Sequence, residues 1–333
     1  MKRQGQVIEK MIRFDNLLLA YYKAAKGKRH LAYVQDFESE LDTRIGEIQD
    51  WLSQGLMPPG DYRNFTIYDP KERVITVAPF SHRVIHHAIM NVCGDKFDHQ
   101  QFFHSYACRR YKGSHAAVKW VQTKMFCGNY YLKLDIRKYF DSVEHAILLQ
   151  QLERLFKDRV LIRLFEDVVA KGSPHPGKGL PIGNLTSQFF ANHYLACFDR
   201  WIKQEQHQSK YVRYMDDMLI LGLSKEAAKE LRDASTQFLR QHLNLVLKVS
   251  QINDEGRGIP FLGYRVFRHQ LKLTPRSKRR FVLSWKKLDA LLVHGSISES
   301  LYHKRMQAIF EFAGRAEIGA LKRKISNEKE AFC

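Results

Sequence analysis

The sequence predicts an α+β fold, an antiparallel sheet of split βαβ order with helices on one face. Three observations predict it. Short apolar runs of strand length, around Tyr131–Leu134 and Tyr211–Ile220, alternate with longer stretches whose apolar residues recur at helical spacing. Along the chain these runs read strand, helix, hairpin, helix, strand, the order of a split βαβ sheet. At 333 residues and 44% apolar content there is core material for two or three packed units, and no repeat, low-complexity tract or long linker divides them.

The elements follow in order. Leu17, Leu18, Tyr21 and Tyr22, then Phe37, Leu41, Ile45, Ile48 and Leu52, make the N-terminal segment helical. "YRNFTIYDPKERVITVAPF" reads as a hairpin, with Phe65 and Ile67 outbound, Asp69–Pro70 turning, and Val74, Ile75 and Val77 returning. Lys71 and Arg73 then lie at or near its tip. "SHRVIHHAIMNVC" resumes a helix. Tyr131, Leu132 and Leu134 form a buried strand ending near Asp135. Asp141 to Glu144 fits a capping box, with Ile147, Leu148, Leu152 and Leu155 as the apolar stripe behind it. A glycine-rich loop, "KGSPHPGKGLPIGN", leads into the helical "LTSQFFANHYLACFDRWI". After the hairpin "YVRYMDDMLILG", Leu231, Ala234, Phe238 and Leu239 mark a helix, and Leu245, Leu247 and Val249 alternate as a strand. "IPFLGYRVFRHQLKLTP" reads as a second hairpin. From Arg276 the tail is basic and mostly helical.

Charge narrows the partner. Lys and Arg total 54 against 35 Asp and Glu, a net +19 with a pI near 9.7, which points to nucleic acid. No run of 18 apolar residues and no signal-peptide pattern occurs, so no membrane partner is expected and the cytoplasm is the expected compartment. The five cysteines are scattered without a CxxC, against a zinc ribbon or redox pair. His86 and His87 are adjacent, a poor zinc spacing. "GSPHPGK" at Gly172–Lys178 mimics a P-loop, but Gly179 stands where Ser or Thr is needed and no helix opens there.

Asp216 and Asp217 sit side by side in an apolar run. One reading is a tight turn with both acids in water, although two-residue turns favour Gly or Asn. The other is a divalent metal site, because a cation offsets the repulsion of neighbouring carboxylates. Asp135, at the end of another strand, supplies a third acid. Three carboxylates on one sheet edge suit two Mg²⁺ ions about 3.5–4 Å apart, with no His or Cys required.

"LKLDIRKYFDSVEH", "GLPIGNLTSQFFANHYL", "YVRYMDD" and "FLGYRVF" together resemble, in order, the motifs of reverse transcriptases, from about Tyr62 to Thr274. Pro181-Ile182-Gly183 stands where most bacterial members carry "PQG". "GLPIGNLTSQ" resembles the reverse transcriptases of diversity-generating retroelements, relatives of the group II intron and retron enzymes. The resemblance implies a right-hand polymerase with a ferredoxin-like antiparallel palm sheet. Residues 1–125 would form the N-terminal extension and fingers, and 126–258 the palm with a fingers–palm loop at 157–190. Residues 259–274 would be the primer-grip hairpin and 275–333 the thumb.

It also implies roles. Asp135, Asp216 and Asp217 would hold two Mg²⁺, for which Mn²⁺ can substitute, with the Ile136 carbonyl near a metal. Lys71 and Arg73 would clamp the dNTP triphosphate. Phe140 would be the steric gate against a ribose 2′-hydroxyl. Ile182, Asn184 and Gln188 would border the nucleotide or templating base. Phe261, Leu262, Gly263 and Tyr264 would grip the primer, and Trp285 would lie in a duplex-tracking helix. The implied activity is RNA-directed DNA synthesis. It copies a template-repeat RNA into cDNA with errors at adenines, for diversification of a target gene, beside a small basic accessory protein. The alternatives are another bacterial reverse transcriptase (group II intron-like, retron or defence-associated), an RNA-dependent RNA polymerase, and a catalytically idle RNA-binding polymerase fold.

Overall fold

The computed structural model describes residues 3–68, 72–173, 175–319, 321 and 323. Asp69, Pro70, Lys71, Pro174 and Cys333 lie outside the described residues. The chain forms two compact units, each assembled from separated segments: Met1–Arg109, Asp135–His207 and Asp233–Lys248, and Arg110–Leu134, Gln208–Arg232 and Val249–Cys333.

The first unit is mainly helical. The predicted N-terminal helices run Val7–Met11, Phe14–Ala25, Ala32–Ser39 and Leu41–Ser53. Tyr21 stacks on Phe37 at 5.8 Å, and Phe37 meets Phe80 edge-on at 5.0 Å. Phe80 opens the long helix Phe80–Gln100, which buries Val84, Ile85, Ile89, Cys93 and Phe97. Helix Arg159–Ala170 is fixed at its start by Asp158, whose carboxylate accepts from Val160 and Leu161 N–H and from Ile8 N–H. The predicted tip hairpin is present as β1 (Arg63–Ile67) and β2 (Arg73–Val77), antiparallel, with Ile67 opposite Arg73.

The second unit carries the main sheet. Its strands β3 (Tyr130–Asp135), β4 (Tyr211–Tyr214), β5 (Asp217–Leu223) and β6 (Gln251–Asp254) lie in the order β4-β5-β3-β6. This is the expected split βαβ order. The hairpin β4–β5 flanks one side of β3, and β6 pairs antiparallel on the other after helix Lys225–Leu243. Met218, Leu219, Ile220 and Leu221 are all buried, so β5 reads as one continuous apolar run. A second sheet holds β7 (Ile259–Phe261), β8 (Tyr264–Val266) and β9 (Leu271–Leu273). The expected second hairpin is therefore a three-stranded sheet. Helices Pro275–Val293 and Glu299–Ala313 follow, started by Thr274 and Ser298, whose side chains accept from Ser277 and Leu301 N–H. Trp285 packs on Phe310 at 4.9 Å and on Phe281 at 5.6 Å.

Two expectations are corrected. Asp141 caps no helix: Lys138 turns left-handed (φ 46°), Tyr139–Ser142 makes one helical turn, and the next helix starts only at His145. Glu144 has no capping bond because its carboxylate accepts from Lys178 at 2.8 Å and Asn244 at 2.7 Å. Leu245, Leu247 and Val249 form no strand. That stretch makes a single bridge, Leu247 with Ile136, and Val249 is 95% exposed. Among the described residues no helix is long and apolar enough to cross a membrane.

Candidate active site

In the second unit, β4 and β5 pair Tyr214 with Asp217, leaving Met215 and Asp216 as a two-residue turn. Met215 adopts φ 54°, a conformation that costs a non-glycine residue about 1–2 kcal/mol. Below the turn the fully buried Arg213 donates from Nη1 to the Met215 carbonyl at 3.2 Å. A turn without Gly or Asn is thus held by a charged donor from the strand that precedes it.

Asp217 meets Lys133, whose Nζ lies 3.1 Å from Oδ1 and 3.2 Å from Oδ2. The same ammonium donates to the Pro260 carbonyl at 2.9 Å and lies 5.9 Å from the centre of the Phe261 ring. Lys133 therefore ties the acid turn to the predicted primer-grip hairpin. That hairpin turns at Leu262 (φ 49°) and Gly263 (φ 88°), both left-handed as a type I′ turn requires. A Cβ on Gly263 would come within 3.0 Å of Phe312 and Ser277, and the Gly263 carbonyl accepts from Thr274 N–H at 3.1 Å. Gly263 is thus packed tightly against Phe312 and Ser277 of the protein itself. Tyr264 is buried and donates to the Phe312 carbonyl at 2.6 Å; burial pushes its hydroxyl pKa up to about 12.

Glu255 is the unexpected carboxylate. It is fully buried and accepts from Phe126 N–H at 2.6 Å and Gly222 N–H at 2.7 Å, clasping the approach to β3 onto β5. Desolvation raises its pKa.

In the first unit, Asp135 pairs with Lys248 at 2.6 Å. The Asp135 carbonyl also accepts from Lys248 N–H, and Arg137 N–H donates to Val246, both at 2.8 Å. Ile136 is fully buried between these bonds. Phe140 is half-buried and sits edge-on to Tyr139, while its carbonyl accepts from Leu180 N–H at 2.8 Å. Tyr139 faces the core and donates to the Ala191 carbonyl. Arg73 is exposed at the start of β2.

Farther along β2, Thr76 N–H donates to the Ile182 carbonyl at 2.8 Å. Gly183, at φ 127°, lies against the Thr76 carbonyl, which a Cβ would approach to 2.6 Å. Only glycine fits there. Ile182 is half-buried, Gln188 accepts from the Cys108 thiol at 3.2 Å, and Asn184 is buried without a side-chain capping bond. The structure thus gathers the Arg73 strand, the Ile182 loop and the Phe140 turn through backbone bonds. Gln188 is held elsewhere, by Cys108.

Among the described residues no three His, Cys, Asp or Glu side chains stand grouped as a metal cage. Lysines stand at Asp135 and Asp217 instead. The donor chemistry fits a hard divalent cation: carboxylate oxygens on partly exposed side chains that already draw a positive charge. Sequence reasoning overlooked Lys133, Arg213, Lys248 and Glu255. A lone cation inside an apolar strand, as in "YYLKLD" and "YVRYMDD", is the signal that marks the first two.

Comparison with known proteins identifies the family. The profile of the reverse transcriptase (RNA-dependent DNA polymerase) family matches residues 68–266. The COX1/OXI3 intron 1 protein of Saccharomyces cerevisiae is 26% identical over 184 residues, 52% of this chain and 21% of that protein. Protein YkfC of Escherichia coli is 22% identical over 283 residues, 69% of this chain and 73% of that one. This chain therefore spans about a fifth of the yeast relative, 21% of its length. A telomerase from Candida albicans, solved with a TWJ fragment of telomeric RNA, aligns with a TM-score of 0.48 and 11% identity over 88% of this chain and 60% of that one. With more than half of its length matched by the family profile, this chain belongs to the reverse transcriptase family.

Proposed function

We propose that the chain is an RNA-directed DNA polymerase that copies a template-repeat RNA into error-prone, adenine-mutagenised cDNA for diversification of a target gene. The observation that carries the polymerase reading is a family match that spans both Asp135 and the Asp216–Asp217 turn. The sequence "GLPIGNLTSQ" supports the narrower reading. In this proposal the sheet of β3 to β6 is the palm, β1–β2 belongs to the fingers, β7–β9 carries the primer grip and the two C-terminal helices are the thumb. The partners are template RNA, primer, dNTPs and a small basic accessory protein, in the cytoplasm.

Asp135, Asp216 and Asp217 would hold two divalent cations, Mg²⁺ or Mn²⁺. When bound, these supply acidity to the primer 3′-hydroxyl and neutralise the triphosphate. The chain's own residues do the rest. Lys248 pairs with Asp135 and Lys133 with Asp217, so each of these acids holds a cation that a bound metal ion would replace. Arg213 fixes the turn that aims Asp216. Arg73 and Lys71 bind triphosphate oxygens, the arginine bidentately. Phe140 excludes a 2′-hydroxyl, Ile182 borders the base, and the Phe261–Tyr264 hairpin steadies the primer.

The test is primer extension on an RNA template with dNTPs and Mg²⁺. Wild type extends the primer, and Asp216→Asn, which removes the charge, abolishes extension. Near wild-type extension by that variant would sink the metal-site assignment.

A further inference from the structure

A cleft of about 560 Å³ opens in the first unit among helices His145–Glu153, Leu185–Tyr194, Ala196–Arg200 and the end of Lys225–Leu243. None of the candidate active-site residues lines it. Its chemistry is one-sided. Arg154, Arg200 and His242 are exposed lining residues, and among the described residues no Asp or Glu lines the cleft.

His242 lies on Phe238 at 4.5 Å between ring centroids, and Phe238 stacks on Trp201 at 4.7 Å. The π-helical turn Trp201–Glu205 begins at that tryptophan. The exposed imidazole is thus backed by an ordered aromatic stack. Gln151, also in the lining, donates its amide to the Tyr194 carbonyl at 3.2 Å, while its Oε1 is buried with no hydrogen-bond donor. That acceptor is closed to solvent in this structure, so an occupant of the cleft satisfies it only once the Gln151 amide turns toward the opening.

A ligand for this cleft needs negative charge for two guanidiniums, a flat π face for His242 and a hydroxyl or amino donor for Gln151. One nucleotide of single-stranded RNA has all three, in its phosphate, its base and its 2′-hydroxyl. DNA lacks the 2′-hydroxyl donor. The net charge of +19 makes a polyanion the natural occupant. We propose that this cleft is a second RNA site, which takes one unstacked nucleotide of single-stranded RNA and anchors the strand independently of the polymerisation residues.

The full chain is irradiated with a short single-stranded RNA carrying 4-thiouridine, and cross-linked peptides are mapped by mass spectrometry. Cross-links are expected within residues 238–243. The double variant Arg154→Ala/Arg200→Ala, which changes only exposed side chains, lowers them about tenfold. Gln151→Met, which removes the acceptor, abolishes the preference for RNA over the matching oligodeoxynucleotide. Asp216→Asn keeps the cross-links, so loss of polymerase chemistry and loss of this site are read apart. Four results overturn the proposal: cross-links only elsewhere in the chain, cross-linking unchanged in the double variant, an RNA preference that survives Gln151→Met, or displacement of the RNA by equimolar adenosine 5′-monophosphate. The last outcome would make the cleft a mononucleotide site.

Discussion

Glu255→Ala tests whether one buried carboxylate clasps the approach to β3 onto β5. In the native chain this side chain is 0% exposed and takes two backbone N–H groups, from Phe126 at 2.6 Å and from Gly222 at 2.7 Å. Truncation leaves both donors buried and unsatisfied. At about 1–3 kcal/mol for each, the local cost is about 2–6 kcal/mol. Glu255→Gln keeps one acceptor and turns an amide N–H toward the other donor, so its cost is about half of that.

Hydrogen exchange followed by mass spectrometry reads the effect directly, because the Phe126 and Gly222 amides report their own protection. Even a 2 kcal/mol loss speeds their exchange about thirtyfold. The pH dependence has a definite sign. Burial raises this pKa above its ordinary 4.5, so the stabilising contribution is complete below 4.5 and is lost as pH rises through the folded value. The wild type therefore gains stability over Glu255→Gln on acidification into that window, and the gap narrows above it. Unchanged protection at Phe126 and Gly222 in Glu255→Ala would refute the clasp.

Three further outcomes concern the proposed chemistry. Lys248→Met removes the ammonium that competes for Asp135, so the Mg²⁺ concentration giving half-maximal extension falls about two- to fivefold, as suits a pair this exposed; an unchanged titration counts against competition at that acid. Phe140→Ala admits ribonucleotides, measured as the rNTP to dNTP ratio of kcat/KM, and an unchanged ratio makes Phe140 a packing residue. Ile182→Gln supplies a donor that isoleucine lacks. Each such bond is worth about 0.5–1.5 kcal/mol, too little for gross fidelity alone, so adenine misincorporation in sequenced cDNA falls only partly and falls further when the Arg73 contacts are intact. Equal error rates in both enzymes would show that Ile182 does not set fidelity.

The strand order and the acid turn were legible because both are written locally. An apolar run interrupted by Asp216–Asp217 has few physical explanations, and the helical spacing from Leu17 to Leu52 is long enough to be unambiguous. The misplaced elements are those decided by distant partners. Leu245, Leu247 and Val249 alternate like a strand, but backbone bonds to Asp135 and Arg137 hold the stretch in one bridge. Asp141 has capping chemistry, but the left-handed Lys138 starts the turn early and Lys178 and Asn244 claim Glu144. Glu255 looks like an ordinary surface acid in "NDEGRG". Nothing local reveals that Phe126 and Gly222, far off in the chain, close over it.

The bond from Thr76 to Ile182 has a mechanical consequence. A flap swings freely only if its outer edge is unlatched, and the outer edge of β2 is latched to the loop Pro181–Asn184, with Gly183 flush against it. Displacement of the β1–β2 arm drags that loop, and the loop pulls on the first turn of helix Leu185–Tyr194. Arm and loop share one stroke, so a side chain at Gly183, which would push against the Thr76 carbonyl, loosens the latch and changes the compliance of both.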